Sequence, residues 1–152
     1  STLTPSAADA NARTLAEWTE AEERVRSLFR GNKYGAVRVE IDGHKLDSRA
    51  EARRYEALKL LEQAGEIRHL RVHPSLEIVA ESAYGKAVNY VADFDYFEGP
   101  FDGDYFSAGA PVIEDVKSLP TLTPLSRLKI RLCRERYPSR ELRVVDADGR
   151  PL

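Results

Sequence analysis

Asp115-Val116-Lys117 places a carboxylate and an ammonium two residues apart in a stretch of strand-forming residues, Pro111 to Lys117. Side chains alternate along a strand, so Asp115 and Lys117 share one face while Glu114 and Val116 take the other. A second acid, Asp93, stands in a preceding β-favouring segment among Tyr90, Val91, Phe94 and Tyr96. A carboxylate amid aromatics is costly unless paired or metal-bound. Two carboxylates on neighbouring strands suit a hard divalent cation, magnesium or manganese. Such an ion lowers the pKa of bound water and offsets charge developing on a phosphate, and an adjacent lysine supplies further positive charge. Phosphodiester hydrolysis is a chemistry that needs these parts. Taken alone, an acid two residues before a lysine commonly marks a solvated strand face; Asp93 is what adds specificity.

Other ionisable residues carry weaker signals. Glu51 falls three residues after Ser48, as the acid of a capping box, and is also placed to serve as a helix-borne acid. Glu114 is read as solvated or ion-paired, with metal binding in reserve, and Asp95, which shares the face of Asp93, as a rim acid in preference to a second metal ligand. His44, His69 and His73 lack the spacing of a zinc set, so no zinc is expected.

These residues need a scaffold. Ser6 to Phe29 reads as a helix, with Ala16, Ala21, Val25, Leu28 and Phe29 on one stripe and Gly31 as a stop. Ala36 to Ile41 alternates like a strand and enters a tight turn at Asp42-Gly43. Ser48 caps a second helix with an apolar face of Tyr55, Leu58, Leu60 and Leu61, ending at Gly65. Ile67 to Val79, interrupted by Pro74, suits an edge strand or two short extended pieces. Val88 to Phe97 reads as one core strand, Phe101 to Pro111 as a hairpin tip, and Pro111 to Lys117 as the strand pairing with it. Thr123-Pro124 opens a third helix with Leu125, Leu128, Leu132 and Cys133 on its face. Glu141 to Val145 is a last short strand. The order predicts a mixed α/β fold with helices on a small central sheet.

Composition bounds the function. The 152 residues suit one ordinary domain, and a net charge of -2 argues against coating nucleic acid through bulk positive charge. Charge is unevenly spread: Arg127, Lys129, Arg131, Arg134, Arg136 and Arg140 make the C-terminal third basic. That run is equally the solvated face of a helix or a phosphate-binding surface, joined by Lys33, Arg49, Arg53 and Arg54 near the acids. Cys133 is the single cysteine, and no stretch approaches the roughly 18 apolar residues of a membrane span. A cytoplasmic protein without membrane partners is expected.

Asn32-Lys33-Tyr34-Gly35, Asp42-Gly43, Asp47 to Tyr55, Tyr90-Val91-Ala92-Asp93-Phe94 and Glu114 to Lys117 together resemble the small phage and prophage endonucleases of the PD-(D/E)XK superfamily. These were long catalogued as a domain of unknown function and are often described as resolvase-like. The resemblance runs from Asn32 to about Val145. It implies a restriction-endonuclease-like domain over 31–152 behind an N-terminal helical extension of 1–30. It also implies a magnesium- or manganese-dependent deoxyribonuclease acting on branched, flapped or otherwise structured DNA. Asp93, Asp115 and Lys117 carry over as the motif, with Glu51 as a third acid at the metal. Lys33, Arg49, Arg53, Arg127, Lys129 and Arg131 are the expected DNA contacts. A homodimer is expected by analogy with nucleases that make two symmetric cuts. Two positions depart from the pattern: Ala92 stands where the superfamily's name places proline, and His73-Pro74 where Gln-Pro is expected. The reading from a different class is a catalytically inert nucleic-acid-binding or assembly module of the same shape; an RNA substrate is a third.

Overall fold

A computed structural model describes residues 38–101 and 109–152. The expected helix over Ser6 to Phe29, Lys33 and most of the hairpin tip after Phe101 lie outside these residues. Residues 39–152 form one compact unit.

The unit begins with a hairpin of β1 (Val39–Ile41) and β2 (His44–Leu46). Asp42 and Gly43 form its turn with φ of 52° and 78°, the left-handed pair that a two-residue hairpin requires. The Asp42 carboxylate also accepts the hydroxyl of Tyr55 at 2.9 Å, which ties the hairpin to α1 (Arg49–Gln63). Ser48 caps α1 by accepting the Glu51 N–H at 3.0 Å, and Gly65, with φ of 78°, ends it. Only half of the expected capping box forms. The Glu51 carboxylate accepts the Asp47 N–H at 2.8 Å instead of reaching back to Ser48, because His73 holds its other oxygen.

The main sheet has the order β3-β6-β7-β8, from β3 (Ile67–Val72), β6 (Phe94–Glu98), β7 (Ala110–Val116) and β8 (Glu141–Val145). The first three pair antiparallel, whereas β8 joins β7 in parallel. That parallel step needs a crossover, which α2 (Pro124–Arg136) supplies. Thr123 caps this helix by accepting the Ser126 N–H, with Pro124 in the first turn where its missing donor costs nothing. The described residues therefore form a mixed α/β fold, with a mixed sheet and two α-helices.

Val88 to Phe97 is two strands rather than one. β5 (Val88–Val91) pairs with β4 (Ser75–Val79) in a separate two-stranded sheet, and β6 starts after a break at Ala92-Asp93. Backbone bonds across the break hold both sides: Ala92 N–H donates to the Pro74 carbonyl at 3.1 Å, and His73 N–H to the Asp93 carbonyl at 2.8 Å. β3 and β4 divide in the same way at Pro74, as the two-piece reading of Ile67 to Val79 expects.

Alternation along β6 and β7 gives each sheet face its own core. Phe94, Tyr96 and Val112 pack with Tyr55 and Leu58 of α1; Ile113 packs with Ile130 and Cys133 of α2 and with Leu76, Ile78 and Tyr90 of the small sheet. Phe94 is fully buried and stacks on Tyr55 at a centroid distance of 6.1 Å. Burying such a side chain stabilises the fold by about 2 kcal/mol. Three leucines expected on apolar helix faces point outward: Leu60, Leu125 and Leu128 are 66%, 62% and 52% exposed. The buried stripes of the two helices are narrower than their leucine content suggests.

Candidate active site

The register of the main sheet builds the site. β6 and β7 pair with Phe94 opposite Glu114, and one further step of that ladder sets Asp93 opposite Asp115. β3 and β6 pair with Val72 opposite Phe94, and one further step sets His73 beside Asp93, where their backbone bond forms. His73, Asp93 and Asp115 thus lie in one row across three strand ends. Asp115 follows the α2 face of the sheet, alternating with Glu114, which turns to α1.

Asp93 and Asp115 meet as a pair within hydrogen-bonding reach of each other. Burial, then the charge of Asp115, raises the pKa of Asp93 well above the carboxylate range; the charge of Glu51 adds to the rise. The Val116 N–H donates to Asp93 Oδ2 at 2.6 Å and opposes it. Asp115 is almost fully buried. Its Oδ2 accepts the hydroxyl of Tyr90, and its Oδ1 lies 3.2 Å from the ammonium of Lys117. Burial, followed by the charge of Asp115, raises the pKa of Tyr90, so that hydroxyl stays protonated and donates. The Lys117 backbone is pinned to β8 by its N–H bond to the Val145 carbonyl at 2.8 Å.

Glu51 projects from the first turn of α1 and is 3% exposed. Burial raises its pKa, partly opposed by the Asp47 N–H and by His73, whose Nε2 lies 2.5 Å from Glu51 Oε1. The expectation grouped Glu51 with Asp93 and Asp115 at one metal. Among the described residues the compact three-member group is instead Asp47, Glu51 and His73, with ligand atoms all within 4.8 Å of one another. Glu51 remains close enough to Asp93 for their charges to interact.

The two reserve acids are engaged elsewhere. Glu114 is fully buried, paired with Arg54 through bonds of 2.5 and 3.0 Å and bonded by the Tyr96 hydroxyl at 2.8 Å. It is ion-paired rather than solvated. Asp95 is buried and held through both oxygens by Arg71. His44 stacks edge-on against Tyr55, and His69 against Phe97.

The basic residues are unevenly committed. Arg49 is exposed in the first turn of α1, while Arg53 pairs with Asp148 at 2.6 Å. Arg131 pairs with Glu135 at 3.0 Å, and Arg127 donates to the Leu122 carbonyl at 3.2 Å. Lys129 is half-buried on α2, the helix covering the sheet face that carries Asp115. A cleft of about 450 Å³ lies between α2 and the chain end, lined by Leu119, Leu122, Ile130, Val144 and Leu152. None of the four predicted catalytic residues lines it.

Sequence reasoning missed Tyr90 as the partner of Asp115 and His73 as the partner of Glu51. A tyrosine ahead of the acid, and a histidine where an amide side chain was expected before Pro74, were the visible signals. Neither gains meaning until the strand register is known.

The sequence model of one family, described as a protein of unknown function (DUF1064), matches residues 31–147. No curated protein and no solved structure matches the chain. No helix among the described residues is long and apolar enough to cross a membrane.

Proposed function

Since this chain belongs to the DUF1064 family of proteins of unknown function, its activity must be read from the site, and we propose that it is a divalent-metal-dependent endonuclease that hydrolyses phosphodiester bonds in structured DNA. The observation that carries the reading is the convergence of Asp93 and Asp115 with the Lys117 ammonium 3.2 Å from Asp115. Two carboxylates this close repel each other, and each loses hydration on burial; a hard cation between them offsets both costs. This donor set suits magnesium or manganese. When bound, such an ion supplies Lewis acidity and a more acidic water.

The chain's own residues supply the rest. Val116 N–H and Tyr90 hydroxyl fix the two acids in place, so neither has to reorganise as charge develops. Lys117, held by the Asp115 carboxylate on one side, presents its ammonium to the phosphate on the other. Glu51 adds negative charge near Asp93, which favours cation binding. Arg49 and Lys129 stand on the helices around the acids and contact phosphates, which gives affinity without choice of sequence. By the resemblance to phage and prophage enzymes, the protein acts in the bacterial cytoplasm, and as a homodimer on symmetric branched substrates.

Incubation with magnesium or manganese and a panel of linear, nicked, flapped and four-way DNA tests the reading. Cleavage of the branched or flapped members, abolished by EDTA, is the expected result. Binding of several substrates with no cut in any would make the protein an inert binding module.

Charge reversal tests the surface separately. Arg127→Glu with Lys129→Glu is expected to weaken DNA binding by more than tenfold at low salt and to flatten its salt dependence, with the circular dichroism spectrum unchanged. Equal affinity of the variant and wild type would assign that face of α2 to solvent.

A further inference from the structure

We propose that Asp47, Glu51 and His73 form a second cation site beside the Asp93–Asp115 pair, one that takes a first-row transition cation such as manganese in preference to magnesium. The three residues come from two places: Asp47 and Glu51 flank the cap of α1, and His73 sits between β3 and β4. Their ligand atoms nevertheless lie within 4.8 Å of one another. Glu51 is almost fully buried, whereas Asp47 is exposed and His73 half-buried, so the group opens to solvent on one side. An ion could enter from there.

The donor types set the preference. Asp47 and Glu51 offer carboxylate oxygens, which any hard divalent cation accepts. His73 offers an imidazole nitrogen, a donor that magnesium takes poorly and later first-row cations take well. The nitrogen is not there by accident of the surface. His73 adopts φ of 53°, a left-handed conformation uncommon outside glycine and asparagine, and it does so immediately before a proline. Its N–H bond to the Asp93 carbonyl at 2.8 Å holds that conformation and points the ring at Glu51. With the cation bound, the Nε2–Oε1 contact of 2.5 Å would give way to two bonds to the ion.

The proposal stands independently of the first site, because no ligand is shared between Asp47, Glu51, His73 and the Asp93–Asp115 pair. It adds to the endonuclease reading by assigning Glu51 to a cation of its own, next to the reacting centre.

Manganese binding to the purified full chain, followed by calorimetry and by electron paramagnetic resonance, tests it. The informative protein carries Asp93→Asn and Asp115→Asn, which removes the first site. This variant is expected to bind one manganese ion, to keep it against a tenfold excess of magnesium, and to show nitrogen coupling in the echo-modulated spectrum. Adding His73→Gln should weaken binding by more than about tenfold, a loss that an outer-sphere contact can also produce, and should remove the nitrogen coupling, which only a directly bound imidazole gives. Glutamine preserves size and a bond to Glu51, and Asp47→Asn, at the exposed position, gives a second variant expected to weaken binding similarly without loss of fold. The proposal is overturned if the Asp93→Asn/Asp115→Asn protein binds no manganese, or if it binds manganese equally well with and without His73→Gln. Failure of the first site reads differently: wild type would then bind no more manganese than the Asp93→Asn/Asp115→Asn protein.

Discussion

Asp93→Asn is expected to abolish DNA cleavage and, without metal, to make the protein more stable. The carbonyl of asparagine still accepts the Val116 N–H, so the local backbone keeps its bond. What disappears is one of two buried negative charges and with it the hold on a divalent cation. Losing an ion that supplies several kcal/mol of transition-state stabilisation, taken as about 4, lowers the rate roughly a thousandfold. In EDTA the same change removes the cost of keeping an ionisable carboxyl in this place, set by burial first and then by the charges of Asp115 and Glu51; a gain of about 1 kcal/mol should raise the melting temperature by roughly 3 °C. The pH dependence follows from the raised pKa of Asp93 in the fold. Below its unfolded value the carboxyl is protonated in both states and costs nothing. As pH rises from the ordinary carboxylate range through the raised folded value, the wild type loses stability that the asparagine variant keeps. The gap should therefore widen with pH in EDTA, and magnesium should reverse it by stabilising the wild type alone. Equal melting temperatures with and without magnesium, in a wild type that cleaves DNA, would refute the role of Asp93.

Lys117→Ala is expected to spare binding and lose rate. Both acids keep their other partners, Tyr90 and the Val116 N–H, and most of the phosphate-binding surface is unchanged. An ammonium positioned against transition-state charge is worth on the order of 3 kcal/mol, or about a hundredfold in rate. DNA affinity should shift by less than about threefold, since one half-buried cation is a small part of a phosphate-binding surface. Single-turnover cleavage and a binding titration on the same substrate separate the two effects. A variant that cuts as fast as wild type would remove Lys117 from the chemistry.

The helices were legible because each carries its boundary chemistry in adjacent residues. Ser48 with Gly65, and Thr123 with Pro124, need no distant partner to be read. The Asp42-Gly43 turn is equally local. Val88 to Phe97 misled because nothing between Val91 and Phe94 breaks a strand in sequence; Ala92 and Asp93 leave it through bonds to Pro74 and His73, which form the matching break between β3 and β4. The acid-spacer-lysine alternation correctly puts Asp115 and Glu114 on opposite faces, as a period of two must. One companion of Glu51 was hidden for the opposite reason. Asp47 meets Glu51 locally, four residues away across the start of α1, but His73 does so only through the placement of α1 against the end of β3, and no local pattern encodes that distance. Leu60, Leu125 and Leu128 show the limit of counting apolar residues: all three lie outside the buried stripes of their helices.

Glu114 and Asp115 are neighbouring acids, both buried, each with its own cation: Arg54 beneath one face of β7 and Lys117 at the edge of the other. The two cations differ in origin, because Arg54 belongs to α1 whereas Lys117 rides on the same chain segment as Asp115. A slip of one residue in the pairing of β7 would carry Asp115 and Lys117 together to the face of Arg54 and turn Glu114 to the α2 face without a cation. Two positive groups would then crowd one acid while the other lay buried and unpaired. The register is therefore guarded twice, by these charges and by Val112 and Ile113, which would exchange the two cores they fill. Substitutions that make those two cores more alike would remove one guard and leave the other, so a folded, misaligned population should still not accumulate.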